Sequence, residues 1–233
     1  MAEAVQASGS QPQNYVSSSH LDSRSTPQDF VPDGDLDKAA WQGVHWVKVD
    51  RDAFKPATYP QSAFEIASLW TPAYVYFAYR CKFDTLNVYQ GGDLHTDFWK
   101  LWERDVVEVF LNPQPEHMKH YYEFEVAPNN LWIDLEIDLD KNPFNEAKWD
   151  SGFEHGARID ARDHEWTCEM RIPVAGMKGP QPILEGAEWR VNFFRADGQG
   201  GDAQRRFLSW SPVQSDAHSF HSPWSFGVVR FVK

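Results

Sequence analysis

An antiparallel two-sheet β-sandwich with only short helical turns is the fold class that this sequence predicts, and three observations carry the prediction. Segment after segment alternates apolar and polar residues with period two, as strands with one buried face do. Turn clusters interrupt these segments at short intervals, and no stretch keeps a 3.6-residue apolar period long enough for a helix of several turns. A chain of 233 residues can bury one sizeable core. Strand faces of unequal polarity favour a sandwich over a barrel.

Residues 1–27 are rich in Ser, Gln and Asn and poor in apolar side chains, so they are expected as a flexible lead-in, part of it a candidate edge strand. A single domain is expected over 28–233. Its opening, Val31-Pro-Asp-Gly-Asp-Leu-Asp-Lys-Ala-Ala-Trp41, reads as a turn and then one helical turn ending in a buried Trp41. Strands are expected at Tyr74 to Phe83, Asp105 to Asn112, His120 to Val126, Leu131 to Asp138, Trp166 to Ile172, Trp189 to Phe194 and Phe226 to Val232. In the clearest of them Leu131, Ile133, Leu135 and Ile137 share one face, and Trp132, Asp134, Glu136 and Asp138 share the other. Turns are expected at Asn112-Pro-Gln-Pro, Pro128-Asn-Asn and Asp197-Gly-Gln-Gly-Gly-Asp202, with a polar loop from Pro143 to Asp150. Cys81 and Cys168 fall on the apolar parity of their strands, so buried thiols are expected rather than a disulfide framework.

The net charge of −12 opposes a nucleic-acid backbone or an anionic membrane as partner and fits a neutral ligand better. The longest apolar runs are strand-sized, so no membrane helix is expected, and the N-terminus shows no signal-peptide pattern. Aromatic residues make up 15% of the chain, including 11 Trp, more than a core of this size commonly needs. A surplus at the surface suits sugars, because aromatic faces stack on pyranose C–H faces while the ring hydroxyls take hydrogen bonds at the edges.

Four motifs in order resemble the family 9 carbohydrate-binding modules, whose sandwich is similar to that of DOMON domains. They are Asp33-Gly-Asp-Leu-Asp37 with Trp41; Trp102-Glu-Arg-Asp105-Val-Val-Glu108-Val-Phe110; Trp189-Arg-Val-Asn192-Phe-Phe-Arg195; and Ser209-Trp-Ser211 with Pro223-Trp-Ser-Phe226-Gly227. The resemblance implies non-catalytic binding of a sugar ring clamped between two aromatics in a surface slot. It makes Trp102 one platform and Phe220 or Trp224 the other, with Glu108 and Arg195 as polar contacts. Glu125 stands where the xylanase-linked members carry a sugar-binding Arg, and beside Glu108 it favours a cation or a neutral sugar over an acidic one. The resemblance further implies no required cofactor, a candidate structural calcium on Asp33, Asp35 and Asp37, and a monomer that is secreted or periplasmic and serves glycan degradation.

Other readings stay open beside this one. Trp102 could pack rather than protrude, Arg195 could tie loops together, and Trp210 and Trp41 read as core. Glu108, Glu123 and Glu125 could supply paired carboxylates to a glycoside hydrolase or lyase, though no elbow, P-loop or metalloprotease motif accompanies them. Met118, Met170 and Met177 leave room for a haem-binding, electron-transferring DOMON-type domain. His117-Met-Lys-His120 with Glu123 could mimic a metal cluster, but residues three apart on a strand point to opposite faces.

Overall fold

The computed structural model describes residues 19–146, 148–201, 203–215 and 218–233. Strand β1 is His20–Ser25, β2 Val47–Val49, β3 Phe64–Trp70, β4 Tyr74–Lys82, β5 Val106–Asn112, β6 His120–Val126 and β7 Trp132–Asp138. The chain continues through β8 Asn145–Glu146, β9 Glu154–Asp160, β10 Glu165–Pro173, β11 Glu188–Asp197, β12 Arg206–Ser209 and β13 Gly227–Val232. Helix is confined, among the described residues, to 3-10 turns of three residues such as Ala39–Trp41 and Leu101–Glu103.

The strands form one continuous ladder in the order β8-β7-β6-β5-β11-β13-β1-β3-β4-β10-β9, with β12 added to β11 and β2 to β3. The ladder curls so that β5, β6, β11 and β13 lie over β3, β4 and β10, giving the two layers of a sandwich. Between them sits the main core, where Val107, Val109, Phe124 and Phe193 from one layer meet Phe64, Phe77, Tyr79 and Trp166 from the other. Edge-to-face packing of Phe77 on Phe193, with centroids 5.0 Å apart, joins the layers at the centre. Cys81 and Cys168 are free and buried in this core. Burial pushes the Cys81 thiol up to about 12, so neither the setting nor the charge state favours reactivity.

Two differences from the pattern-based expectation bear on the architecture. His20–Ser25, expected within a flexible lead-in or at an edge, is an interior rung: β1 pairs in parallel with β13 on one side and with β3 on the other, and links the two layers. Ser23, fully buried, accepts from the Ser68 hydroxyl at 2.8 Å, a polar contact that the composition of the segment conceals. The remainder of the expected lead-in, 1–18, lies outside the described residues. Strand β3 escaped the alternation test because all but one of its residues are buried, so both faces carry apolar or small side chains. The loop expected at Pro143 to Asp150 includes the two-residue β8; Ala147 lies outside the described residues.

Each layer also has an outward face. That of β3 and β4 is covered by the N-terminal segment, with Phe30, Leu36, Trp41 and Trp46 packed on Ala67, Leu69, Tyr76 and Ala78. The Asp33 turn reaches β9 so closely that a Cβ on Gly156 would lie 2.5 Å from the Asp33 Cα, and Gly34 takes φ +80°. The outward face of β7, β6, β5 and β11 carries a second cluster containing Phe110, Tyr121, Leu135 and Phe194. Loops cover it only in part, and a cavity of about 650 Å³ opens on it.

Candidate functional site

Strand parity places the floor of this cavity. Val107, Val109 and Leu111 of β5 point into the main core, so Glu108 and Phe110 point outward. On the neighbouring rungs Glu108 lies opposite Glu125 of β6 and Phe194 of β11, while Phe110 lies opposite Glu123 and Asn192. Leu135 of β7 extends the Phe110 and Glu123 row. Three glutamates therefore share one patch of an otherwise apolar floor. Exposure is 2% for Glu108, 4% for Glu123 and 0% for Glu125.

Aromatic side chains from separate loops form the walls. Trp102 comes from the 3-10 turn Leu101–Glu103, is half-buried, and meets Trp99 edge-on with centroids 5.1 Å apart. Phe220 lies parallel to Phe194 at 4.1 Å and to Phe54 at 5.7 Å, with Phe207 edge-on at 6.0 Å. Trp102, Phe220 and Glu108 all line the one cavity. Asp105, fully buried, accepts from the backbone N–H groups of Asn87 and Gly198 at 2.9 Å each, fastening two loops to the start of β5.

Burial sets the electrostatics of the floor. It raises the Glu123 carboxyl to about 7. Glu108 and Glu125 are raised well above the usual carboxylate range by burial first and by their carboxylate neighbours second, against the opposing pull of Arg205. His221, in the wall, is hydrogen-bonded to the Tyr121 hydroxyl at 2.7 Å and lowered by burial to about 4, so it is neutral at ordinary pH.

Other residues singled out from the sequence go elsewhere. Arg195 lies opposite Val107, on the side facing the main core; its guanidinium is fully buried and donates to the Ser62 carbonyl at 2.7 Å and to Asp197 at 2.9 Å. It ties β11 to the loop before β3 and does not reach the cavity. Trp224 lies outside the lining, and its indole N–H donates to the Gln214 carbonyl at 3.0 Å. Phe54, Phe207, His221 and Arg205 line the cavity without having been anticipated, because the loops bearing them show no periodicity from which a direction could be read.

At the N-terminal turn, Asp33 is 2.7 Å from Lys38 and 3.0 Å from Arg158, and Asp35 is 3.2 Å from Arg158. The Lys38 hydrogen bond, followed by other contacts, holds Asp33 down at about 2. Asp33 and Asp35 further cap the backbone N–H groups of Asp35 and Asp37. Lys38 and Arg158 thus already engage the carboxylates of Asp33 and Asp35. His120 is bonded to Glu136 at 2.7 Å, whereas Glu123 faces the cavity, so the two lie on opposite faces as their spacing requires. Met170 and Met177 are closed into the main core, and Met118 lines a second pocket whose other lining residues are polar or charged, with no apolar wall for a porphyrin.

The arrangement can stack a flat apolar face against its walls and offer oxygens from its floor. The glutamates stand side by side on adjoining strands rather than facing each other across a bond to be cleaved, which is the placement glycosidases require.

Comparison with known proteins agrees with this architecture. The sequence profile described as carbohydrate family 9 binding domain-like matches residues 32–233. A relative from Arthroderma benhamiae named "Extracellular protein" is 28% identical over 143 residues, spanning 57% of this chain and 63% of the relative. The alignment thus covers less than two thirds of that protein's length. Among solved structures, a Bacteroides uniformis protein provisionally described as carbohydrate-binding superposes with a TM-score of 0.73 at 19% identity, over 91% of this chain and 98% of its own. A family 9 carbohydrate-binding module from Caldicellulosiruptor kristjanssonii in complex with cellotriose gives 0.66 at 15% identity, over 91% of this chain and 93% of its own. The same kind of module in complex with glucose gives 0.65 at 16% identity, over 91% and 95%.

Proposed function

The chain belongs to the carbohydrate family 9 binding domain-like family, and from that premise we propose that it binds a saccharide, without chemistry, in the aromatic-walled cavity on the outward face of β7, β6, β5 and β11. The observation that carries this reading is the convergence of Trp102 and Phe220, far apart in sequence, on one cavity of about 650 Å³ above Glu108. Trp102 supplies a stacking platform and Phe220, backed by Phe194 and Phe54, the opposing wall. Glu108 accepts ring hydroxyls, and Glu125 behind it adds to the negative potential that disfavours acidic sugars. The cellotriose and glucose complexes of the Caldicellulosiruptor module point to a glucose-type ring. The extracellular relative supports action outside the cell, where a glycan-degrading system would use such a domain.

Affinity is expected in the micromolar to millimolar range, because a neutral sugar buries little apolar area and exchanges water hydrogen bonds for protein ones. The test is a panel of mono- and oligosaccharides followed by Trp fluorescence and product analysis together. A saturable fluorescence change with the sugar recovered intact supports the reading. Steady product formation overturns it.

A further inference from the structure

The floor of the cavity leaves an electrostatic demand unmet among the described residues. One carboxylate oxygen each from Glu108, Glu123 and Glu125 lies within 4.8 Å of the others. Two oxygens bound to one calcium can be no further apart than twice the bond length, or about 4.6–5.2 Å. The three carboxylates are therefore spaced as ligands of a single ion. A second observation is independent of that spacing: among the described residues no N–H or hydroxyl donor reaches either oxygen of Glu125 or the Oε2 of Glu123. Buried polar atoms nearly always have partners, and buried carboxylates are paired or hold a metal.

Charge points to the kind of ion. Lys55 and Asp52 at the rim lie 3.8 Å apart and offset each other. Arg205, also in the lining, pulls Glu108 and Glu125 towards their charged forms. A bound cation would draw the three carboxyls into their charged forms, and donors that are all carboxylate oxygen select a hard ion.

We propose that Glu108, Glu123 and Glu125 hold one divalent cation of the calcium or manganese type on the cavity floor, with its remaining coordination positions open towards the aromatic walls. The site shares Glu108 and the cavity with the sugar reading, but metal uptake can be measured with no sugar present.

Full-length protein freed of metal by dialysis against chelator is titrated with calcium chloride by calorimetry, and with manganese chloride while the electron paramagnetic resonance signal of free ion is followed. The expected result is uptake of a single equivalent with a dissociation constant between micromolar and millimolar. Glu125→Gln and Glu123→Gln weaken it at least about tenfold, whereas Asp33→Asn leaves it unchanged. No uptake at millimolar metal overturns the proposal, because the carboxylates then share protons instead. Saturable binding of glucosamine without metal uptake also overturns it, in favour of an ammonium group. So does uptake that survives Glu125→Gln and is lost in Asp33→Asn. Neutral sugars titrated in chelator keep the two readings apart: a fluorescence response without metal uptake sinks the cation site alone, and metal uptake without any sugar response sinks the sugar reading alone.

Discussion

The two outward faces of the sandwich both bury glutamate, and they provide for it in opposite ways. Under the N-terminal segment, Glu169 is 1% exposed and accepts from the backbone N–H groups of Asp33 and Gly34, from the Lys38 ammonium at 2.6 Å and from the Trp41 indole at 2.6 Å. On the other face Glu125, at 0% exposure, accepts from no N–H or hydroxyl donor among the described residues. Acid content alone would have pointed to the Asp33, Asp35 and Asp37 turn as the special place. Completed partnership marks a structural carboxylate; buried and incomplete partnership marks one held ready for something else.

The largest effect should come from breaking the completed side. Glu169→Ala leaves four donors, one of them charged, without their acceptor, and should cost about 3–5 kcal/mol in urea unfolding. Glu125→Gln in metal-free buffer should cost nothing or stabilise, since the amide replaces a carboxyl whose charged form burial already disfavours. Equal losses from the two substitutions would erase the contrast.

Next in size is the effect on sugar. Trp102→Ala should remove about 1–2 kcal/mol of stacking, about a five- to thirtyfold loss of affinity, and abolish the fluorescence response. Because Trp102 is half-buried at the cavity wall, the thermal transition should barely move. A collapse in stability would make Trp102 a packing residue and displace the slot. Phe220→Ala should weaken both binding and stability, because its ring is stacked on Phe194 inside the second cluster.

A smaller effect separates the faces by pH. Glu123 of β6 and Asp134 of β7 are raised by burial to about 7 from ordinary values of 4.5 and 3.8. A raised acid holds its proton more tightly folded than unfolded, so its stabilising contribution is present in acid and is lost as pH rises through about 7. Buried His155 and His221, lowered to about 4 from 6.5, act in the opposite sense, and their contribution is complete above 6.5. In metal-free buffer the melting temperature should therefore fall from pH 6.5 to about pH 8, and less steeply in Glu123→Gln. A flat profile in the wild type would contradict the buried, partnerless floor.

The smallest change is expected at the turn whose acids are all engaged. Asp33→Asn removes exposed ion pairs with Lys38 and Arg158 and should cost no more than about 1 kcal/mol by thermal unfolding.

Sequence by itself determined the architecture and the direction of most side chains on the regular strands. Alternation in β5 sent Glu108 and Phe110 to the face opposite Val107 and Val109, and that in β7 grouped Leu131, Ile133, Leu135 and Ile137, because a pleated backbone turns successive side chains to opposite sides whatever lies around it. The same local rule could not find β3, buried on both faces, or the pairing of β1 between β13 and β3. Only the tertiary structure decided which outward face would be covered, that Arg195 would be spent on the Ser62 carbonyl and Asp197, and that Phe54 and Phe220 would line one cavity with Trp102. It also decided that Lys38 and Trp41 would complete Glu169 while no N–H or hydroxyl donor among the described residues completed Glu125. Those outcomes depend on contacts between residues distant along the chain, whose geometry is set by how the layers curl and where the loops fall, and no local periodicity encodes that.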